Sequence, residues 1–444
     1  MIGELERRIA HLHRRAGFGS SRAELAAAVK KGWDANVEEL LNPEKVKDPL
    51  DDRLKELEGE LFDLTVLEDA QAWWLYRMLH TRRPLEEKLT LFWHGHFATA
   101  ASKVERVPYM LQQNRTLRAK AFGRFEDLLL AVAQDAAMIV WLDNGASTKK
   151  KPNENFGREL LELFTLGIGH YGEDDVKAAA RAFTGWRQKD GEFAVDAKEH
   201  DDEPKTLFGQ TWPWKGEDVL GALARQPATA ARLARKLVRY FVRDDGDTEL
   251  EAELAREYLA SGGEVRAVLR ALFLSPRFVS PEAMRAKVKS PCEFVVGAMR
   301  ELDATVPIRS LPPMLARMGQ ALFNPPNVAG WNEGLAWINT ATLFERANFA
   351  NHLATQRGVA GDGRFEPGAW VAKDADAGKV LDTFASVLLG GEMPRAMRAA
   401  LAAYLAGKDK EGKVVAFKAT PQAMDEKVRG VVRLIVASPE YQLA

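Results

Sequence analysis

An all-α fold follows from three features of the 444-residue chain. Apolar residues recur at three- and four-residue spacing through most of its length, the period of an amphipathic helix. Start and stop signals bracket these runs: Ser21-Arg-Ala-Glu24 reads as a capping box, and Gly32, Gly167 and Gly185 follow runs that they close. Strand-like alternation is confined to one stretch, 186–215.

Taken in order, the capped run at Ser21 ends at Gly32. Helices are then expected over 63–82, 85–97, 105–121, 125–141, 155–166 and 173–185. Pro84 and Pro108 stand where a first helical turn accepts proline. Within 186–215, Gly191, Pro204, Gly209 and Pro213 separate short alternating runs, which predicts a small hairpin or an ordered loop. Helical pattern resumes at 216–225, 228–243, 248–260, 264–274 and 291–302. Pro312, Pro313, Pro325 and Pro326 then break the chain around the aromatic-rich turn Phe323-Asn-Pro-Pro-Asn-Val-Ala-Gly-Trp331. A helix at about 334–356, a Gly/Asp-rich linker near 357–378 and helices near 379–389, 395–406 and 420–438 complete the chain. The expected division is an N-terminal helical segment (1–60), a main helical domain with the polar motifs (61–310), a Pro/Trp-rich turn and helix packed on it (311–356), and a C-terminal helical segment (357–444).

Composition excludes several classes. With 62 Lys+Arg against 63 Asp+Glu, the net charge of -1 gives no footprint for nucleic acid. A single cysteine, Cys292, excludes a disulfide framework and cysteine-based metal clusters. No apolar run reaches the ~18 residues of a membrane span. The start carries no apolar signal segment, so a cytoplasmic location is expected, or an exported one if a leader has been removed. Gly167-Ile-Gly169-His-Tyr-Gly172 spells a dinucleotide fingerprint but follows a helix rather than a strand. Gly407-Lys-Asp-Lys-Glu-Gly412-Lys413 falls short of a phosphate loop, because Val414 stands where magnesium needs Ser or Thr.

Three segments place ligand-capable residues in apolar surroundings. In Leu91-Phe-Trp-His94-Gly-His96-Phe97 the two histidines lie about 200° apart on an ideal helix, and they converge only if the helix ends at Gly95. In Lys149-Lys-Lys-Pro-Asn153-Glu154-Asn155-Phe-Gly-Arg158-Glu159-Leu-Leu-Glu162-Leu-Phe-Thr-Leu-Gly167, Glu159 and Glu162 share a helix face, as paired acid–base or metal-binding carboxylates need. Asn153 or Asn155 reads as the N-cap, with Glu154 near the positive helix end. The structural alternative pairs Arg158 with Glu154 or Glu162. In Glu199-His200-Asp201-Asp202-Glu203-Pro204-Lys205, a histidine and carboxylates sit in a loop, where ligand chemistry is common. His11 and His13, in His11-Leu-His-Arg-Arg-Ala-Gly-Phe-Gly19, form a weaker fourth group. Oxygen and nitrogen donors without thiolate suit zinc, manganese or iron. The expected site has His94, His96, His200 and Asp201 as metal ligands and Glu159, Glu162 and Lys205 in catalysis.

At these residues the chain resembles the bacterial family catalogued as domain of unknown function 1800, over roughly 8–437. The motifs that carry it include the 11–19 and 91–99 segments, Arg158-Glu-Leu-Leu-Glu-Leu-Phe-Thr-Leu-Gly167, Ala180-Arg-Ala-Phe-Thr-Gly-Trp186, His200-Asp201 with Lys205, Lys289-Ser-Pro291 and Gly330-Trp331. The resemblance implies lineage and no set activity. Family members commonly carry export signals and are often encoded beside a second family of unknown function, numbered 1501, which is similar to secreted sulfatase or phosphatase folds. That implies a protein partner of the 1501 type. Many relatives have a histidine where this chain has Phe164, a departure that weakens the metal reading.

The expected function is a metal-dependent enzyme, a hydrolase by class, acting on a substrate that the sequence does not name. The alternative is a non-catalytic binding or scaffold protein that works with the 1501-type partner, its eleven tryptophans supplying groove or core.

Overall fold

Ser21 does cap its helix: Ser21 Oγ accepts from the Glu24 N–H at 3.3 Å, and Glu24 Oε2 accepts from the Ser21 N–H at 2.7 Å. The helix that follows, Arg22–Lys31, stops at Gly32. Similar local rules position most of the all-α fold. The computed structural model describes residues 3–358, 363–408 and 411–444. Part of the expected linker, 359–362, and 409–410 of the phosphate-loop-like stretch lie outside the described residues.

The expected helix at 125–141 is divided into Phe125–Ala133 and Ala136–Trp141, because Asp135 caps the second piece through the Ala137 and Met138 N–H groups. Pro312 and Pro313 do not break the chain. They open the helix Leu311–Arg317, in whose first turn a missing N–H leaves no bond unmade. The 334–356 run is a 3-10 turn, Gly334–Trp337, followed by Thr340–Ala354, which Asn339 caps. Within 186–215 two antiparallel hairpins form, Trp186–Lys189 with Glu192–Val195 and Lys205–Leu207 with Gln210–Trp212. A further two-residue pairing joins Gly407–Lys408 to Val414–Val415. Among the described residues no helix is long and apolar enough to cross a membrane.

Buried side chains gather into two clusters. One contains Leu12, Val37, Trp93, Phe125, Leu161, Leu237 and Phe273. The other contains Phe18, Trp74, Phe294, Phe349, Val432 and Tyr441. The Pro84–His96 helix serves both, giving Leu85, Leu89, Phe92 and Trp93 to the first and Leu91 to the second. Each such side chain contributes about 1.5–3 kcal/mol on full burial. The far end of the chain closes the second core: Tyr441 packs on Phe294 at 5.7 Å, and Val288 pairs antiparallel with Leu443. In that pairing the Lys289 N–H donates to Gln442 O and the Ala444 N–H to Lys287 O, each at 2.8 Å.

A buried ion pair, Lys88 with Glu293, ties the shared helix to Pro291–Glu301. Burial alone would raise the Glu293 carboxyl. The charges of Lys88 and Lys287 and the Ser290 N–H outweigh it and hold the group at about 2 against an ordinary 4.5. A depressed carboxylate stabilises the fold above its unfolded value, and the contribution is lost as pH falls from about 4.5 toward 2. Urea midpoints of the native protein and Glu293→Gln should therefore differ at pH 6 and converge toward pH 3. A gap independent of pH would contradict the ion-pair account.

A cleft at the seam between the two cores

The two histidines of the 91–97 segment meet different partners. His94 is 2 % exposed, packed among Trp74 (5.5 Å), Phe323 (5.7 Å) and Trp331 (5.4 Å). Burial holds it at about 3, and its Nε2 has no hydrogen-bond partner. His96 Nε2 lies 3.1 Å from Phe164 O, and its Nδ1 lies 3.0 Å from Lys236 Nζ. The carbonyl fixes the proton on Nε2, so Nδ1 accepts from the lysine. Burial, then the charges of Lys236 and Arg232, drives His96 well below its usual value, and the ring is neutral.

The carbonyl belongs to a widened turn. The helix Glu154–Glu159 continues as a π-helix, Leu160–Thr165, a form frequent at functional sites. Arg232 donates to Leu163 O, at 3.3 Å from Nε and 3.2 Å from Nη2, beside the carbonyl that His96 takes. Asn153 is the N-cap, accepting from the Phe156 N–H at 3.2 Å, and Glu154 lies exposed in the first turn. Arg158 turns away from Glu154 and Glu162 to a two-bond pair with Glu173 at 2.9 and 2.7 Å. Glu162 accepts from Tyr171 Oη at 2.6 Å. Burial and the neighbouring Glu162 charge raise Glu159.

In the third segment, the ring of His200 donates from Nδ1 to Thr184 O at 2.8 Å. Asp201 is held by Arg181 at 2.6 and 3.2 Å. Lys205 is buried and donates to the carbonyls of Asp201 (2.5 Å) and Glu203 (2.9 Å), which fixes the loop. The segments do meet through backbone groups, at His96–Phe164 O and at the Lys149 N–H on Glu199 O (2.8 Å). The expected donor side chains do not gather. Among the described residues no group of three or more His, Cys, Asp or Glu is placed to hold a metal ion.

What His96 does face is a cleft of ≈ 580 Å³ between the two cores, lined also by Lys236, Tyr240, Asp244, Lys287 and Glu333. Lys236 and Tyr240 sit one turn apart on the helix Pro227–Phe241. Burial pushes Lys236 down to about 8, with the Arg232 charge adding and Glu333 opposing. Lys287 Nζ donates to Asp244 Oδ1 at 2.6 Å, and Asp244 Oδ2 accepts from the Val288 N–H at 2.8 Å. Lys236 makes no ion pair among the described residues; its partner is the neutral His96. One wall is residues 329–337, which press on the end of the shared helix: a Cβ on Gly330 would lie 2.3 Å from Gly95 O.

The family described as Protein of unknown function (DUF1800) matches residues 11–443. The chain belongs to this family. No curated protein and no solved structure matches it.

In this DUF1800 chain, spacing singled out His96 but not Lys236, Tyr240, Asp244, Lys287 or Glu333. A signal for the floor of the cleft was present in Lys287-Val-Lys-Ser-Pro-Cys-Glu293, where charged residues enter an apolar run beside a second capping box. The expected zinc, manganese or iron fits the donor set poorly. Both His96 nitrogens are engaged, aromatic rings enclose His94, and Asp201 answers Arg181.

Proposed function

We propose that the seam cleft is an active site and that the chain is an enzyme, a hydrolase by class, with Lys236 as general base. The observation that carries this is the Lys236 Nζ–His96 Nδ1 contact of 3.0 Å in a cleft walled by Trp331. An amine at about 8 is partly neutral near neutral pH, where a base is most effective. Nδ1 takes one N–H, which aims the lone pair of the neutral amine away from the ring. There it takes a proton from water as that water attacks the substrate. Stoichiometric zinc, manganese or iron, lost in His94→Ala, would replace this reading with the metal-dependent one.

Competitive acetylation across pH, read by mass spectrometry, tests the base without a known substrate. Lys236 should label with a midpoint near 8 and exposed lysines near 10.5. A Lys236 midpoint above 10 would overturn the proposal. Once a substrate is in hand, Lys236→Met should lower kcat by roughly 10²–10⁴.

The non-catalytic reading, a scaffold for a 1501-type partner, is favoured by exposed apolar residues, Leu335 (79 %) at the cleft mouth and Phe344 (65 %) on the helix Thr340–Ala354. Pull-down of that neighbour, lost in Phe344→Asp, would support it.

A further inference from the structure

A second cleft, of ≈ 380 Å³, lies where the helices Glu4–Arg15 and Arg22–Lys31 meet the turn before Pro84. Five cations line it, Lys31, Lys47, Arg82, Arg83 and Arg300, against two carboxylates, Glu24 and Glu39. The carboxylates are already engaged: Glu39 pairs with Lys31 at 2.5 Å and Glu24 with Arg300 at 2.9 Å. Arg83 reaches Val46 O at 2.9 Å and Asp51 at 3.6 Å. Lys47 and Arg82 make no ion pair among the described residues, and both are exposed. Their loops are joined, since the Arg82 N–H donates to Asp48 Oδ2 at 2.8 Å. Between the cations the lining is apolar, from Ala28, Leu40 and Pro43.

His13, from the 11–19 motif that the seam cleft leaves unused, lines this cavity. Its ring makes no hydrogen bond among the described residues. Burial pushes it down to about 4, with the charges of Arg300 and Lys31 adding and those of Glu24 and Glu39 opposing. The imidazole is therefore neutral and offers one N–H and one acceptor.

We propose that this cleft binds a small amphiphilic anion, its phosphate or carboxylate head held by Lys47, Arg82 and the His13 N–H and its apolar body laid on Ala28, Leu40 and Pro43. Charge-assisted bonds to the head give the affinity, and the apolar wall selects against bare ions. This site is separate from the seam cleft and does not depend on the role of Lys236.

Titration calorimetry on the full chain, with octyl phosphate, octanoate, octanol and inorganic phosphate as probes, tests it. At least one of the two amphiphilic anions should bind tenfold or more tighter than both octanol and inorganic phosphate. The double variant Lys47→Ala/Arg82→Ala changes exposed side chains only. It should weaken the anion about tenfold and leave octanol unchanged. In the native protein the anion's charge should move the His13 ring titration upward by NMR. Octanol binding as tightly as the anions, or an unchanged double variant, would overturn the proposal.

Discussion

Glu87→Ala should lower folding stability by about 3–5 kcal/mol, the penalty for removing one partner of a buried ionic cluster. Glu87 is 0 % exposed and accepts four bonds. Oε1 takes Arg77 Nε and Arg118 Nε, each at 2.6 Å. Oε2 takes Trp74 Nε1 at 2.9 Å and Arg118 Nη2 at 2.8 Å. Burial would raise this carboxyl, yet the two guanidiniums hold it at about 2. Without it, Arg118 loses its ion-pair partner in the interior, and Arg77 keeps only Asp51. Denaturant unfolding followed by fluorescence and circular dichroism measures the loss. A change under 1 kcal/mol would mean that water or a rearranged side chain replaces the carboxylate.

Gly330→Ala is expected to open the seam cleft. The residue has φ +84°, where a side chain is strained by about 1–2 kcal/mol. A Cβ would also meet a backbone oxygen, Gly95 O, at 2.3 Å, and backbone yields less readily than a side chain. The loop has to lift, drawing Trp331 off His94 and exposing Lys236 to water. The acetylation midpoint of Lys236 should climb from about 8 toward 10. Gly95→Ala is the control, because its Cβ would rest 3.9 Å from Trp331, an ordinary contact. Equal midpoints in the native protein and Gly330→Ala would separate the lysine from the loop.

Most helices were legible from local signals, although the Asp135 cap that splits 125–141 was passed over. Apolar period, Ser21 and Ser290 caps and closing glycines need only neighbours in sequence. The prolines at 312 and 313 misled, because whether they break or begin a helix depends on which turn they occupy. The candidate site was legible only at His96. Lys236 reads in Ala-Arg-Leu-Ala-Arg-Lys-Leu as an ordinary polar-face residue, and the 329–337 loop that walls its cleft is remote in sequence. Likewise, the partner of His96 is a carbonyl in the last turn of the π-helix at 160–165, which no spacing of side chains announces. Metal-ligand chemistry was an inference from residue type, and direction is what residue type does not carry: His96 faces Phe164 O and Lys236, Asp201 faces Arg181, and aromatic rings surround His94.

The pairing of 287–289 with 442–444 has a consequence for synthesis. Translation is vectorial, and contacts between distant parts of a chain wait for the later one. The buried residues of the first core run no later than Ala283, with Val328 packing against them from outside, so most of it can assemble while the ribosome is still working. The second cannot: Phe294 and its neighbours stay uncovered until Tyr441 emerges. For that interval the nascent chain carries one finished half and one sticky half. A chaperone that recognises apolar surface would find its target between residues 291 and 441, and a stop codon introduced before Tyr441 would leave that surface uncovered for good.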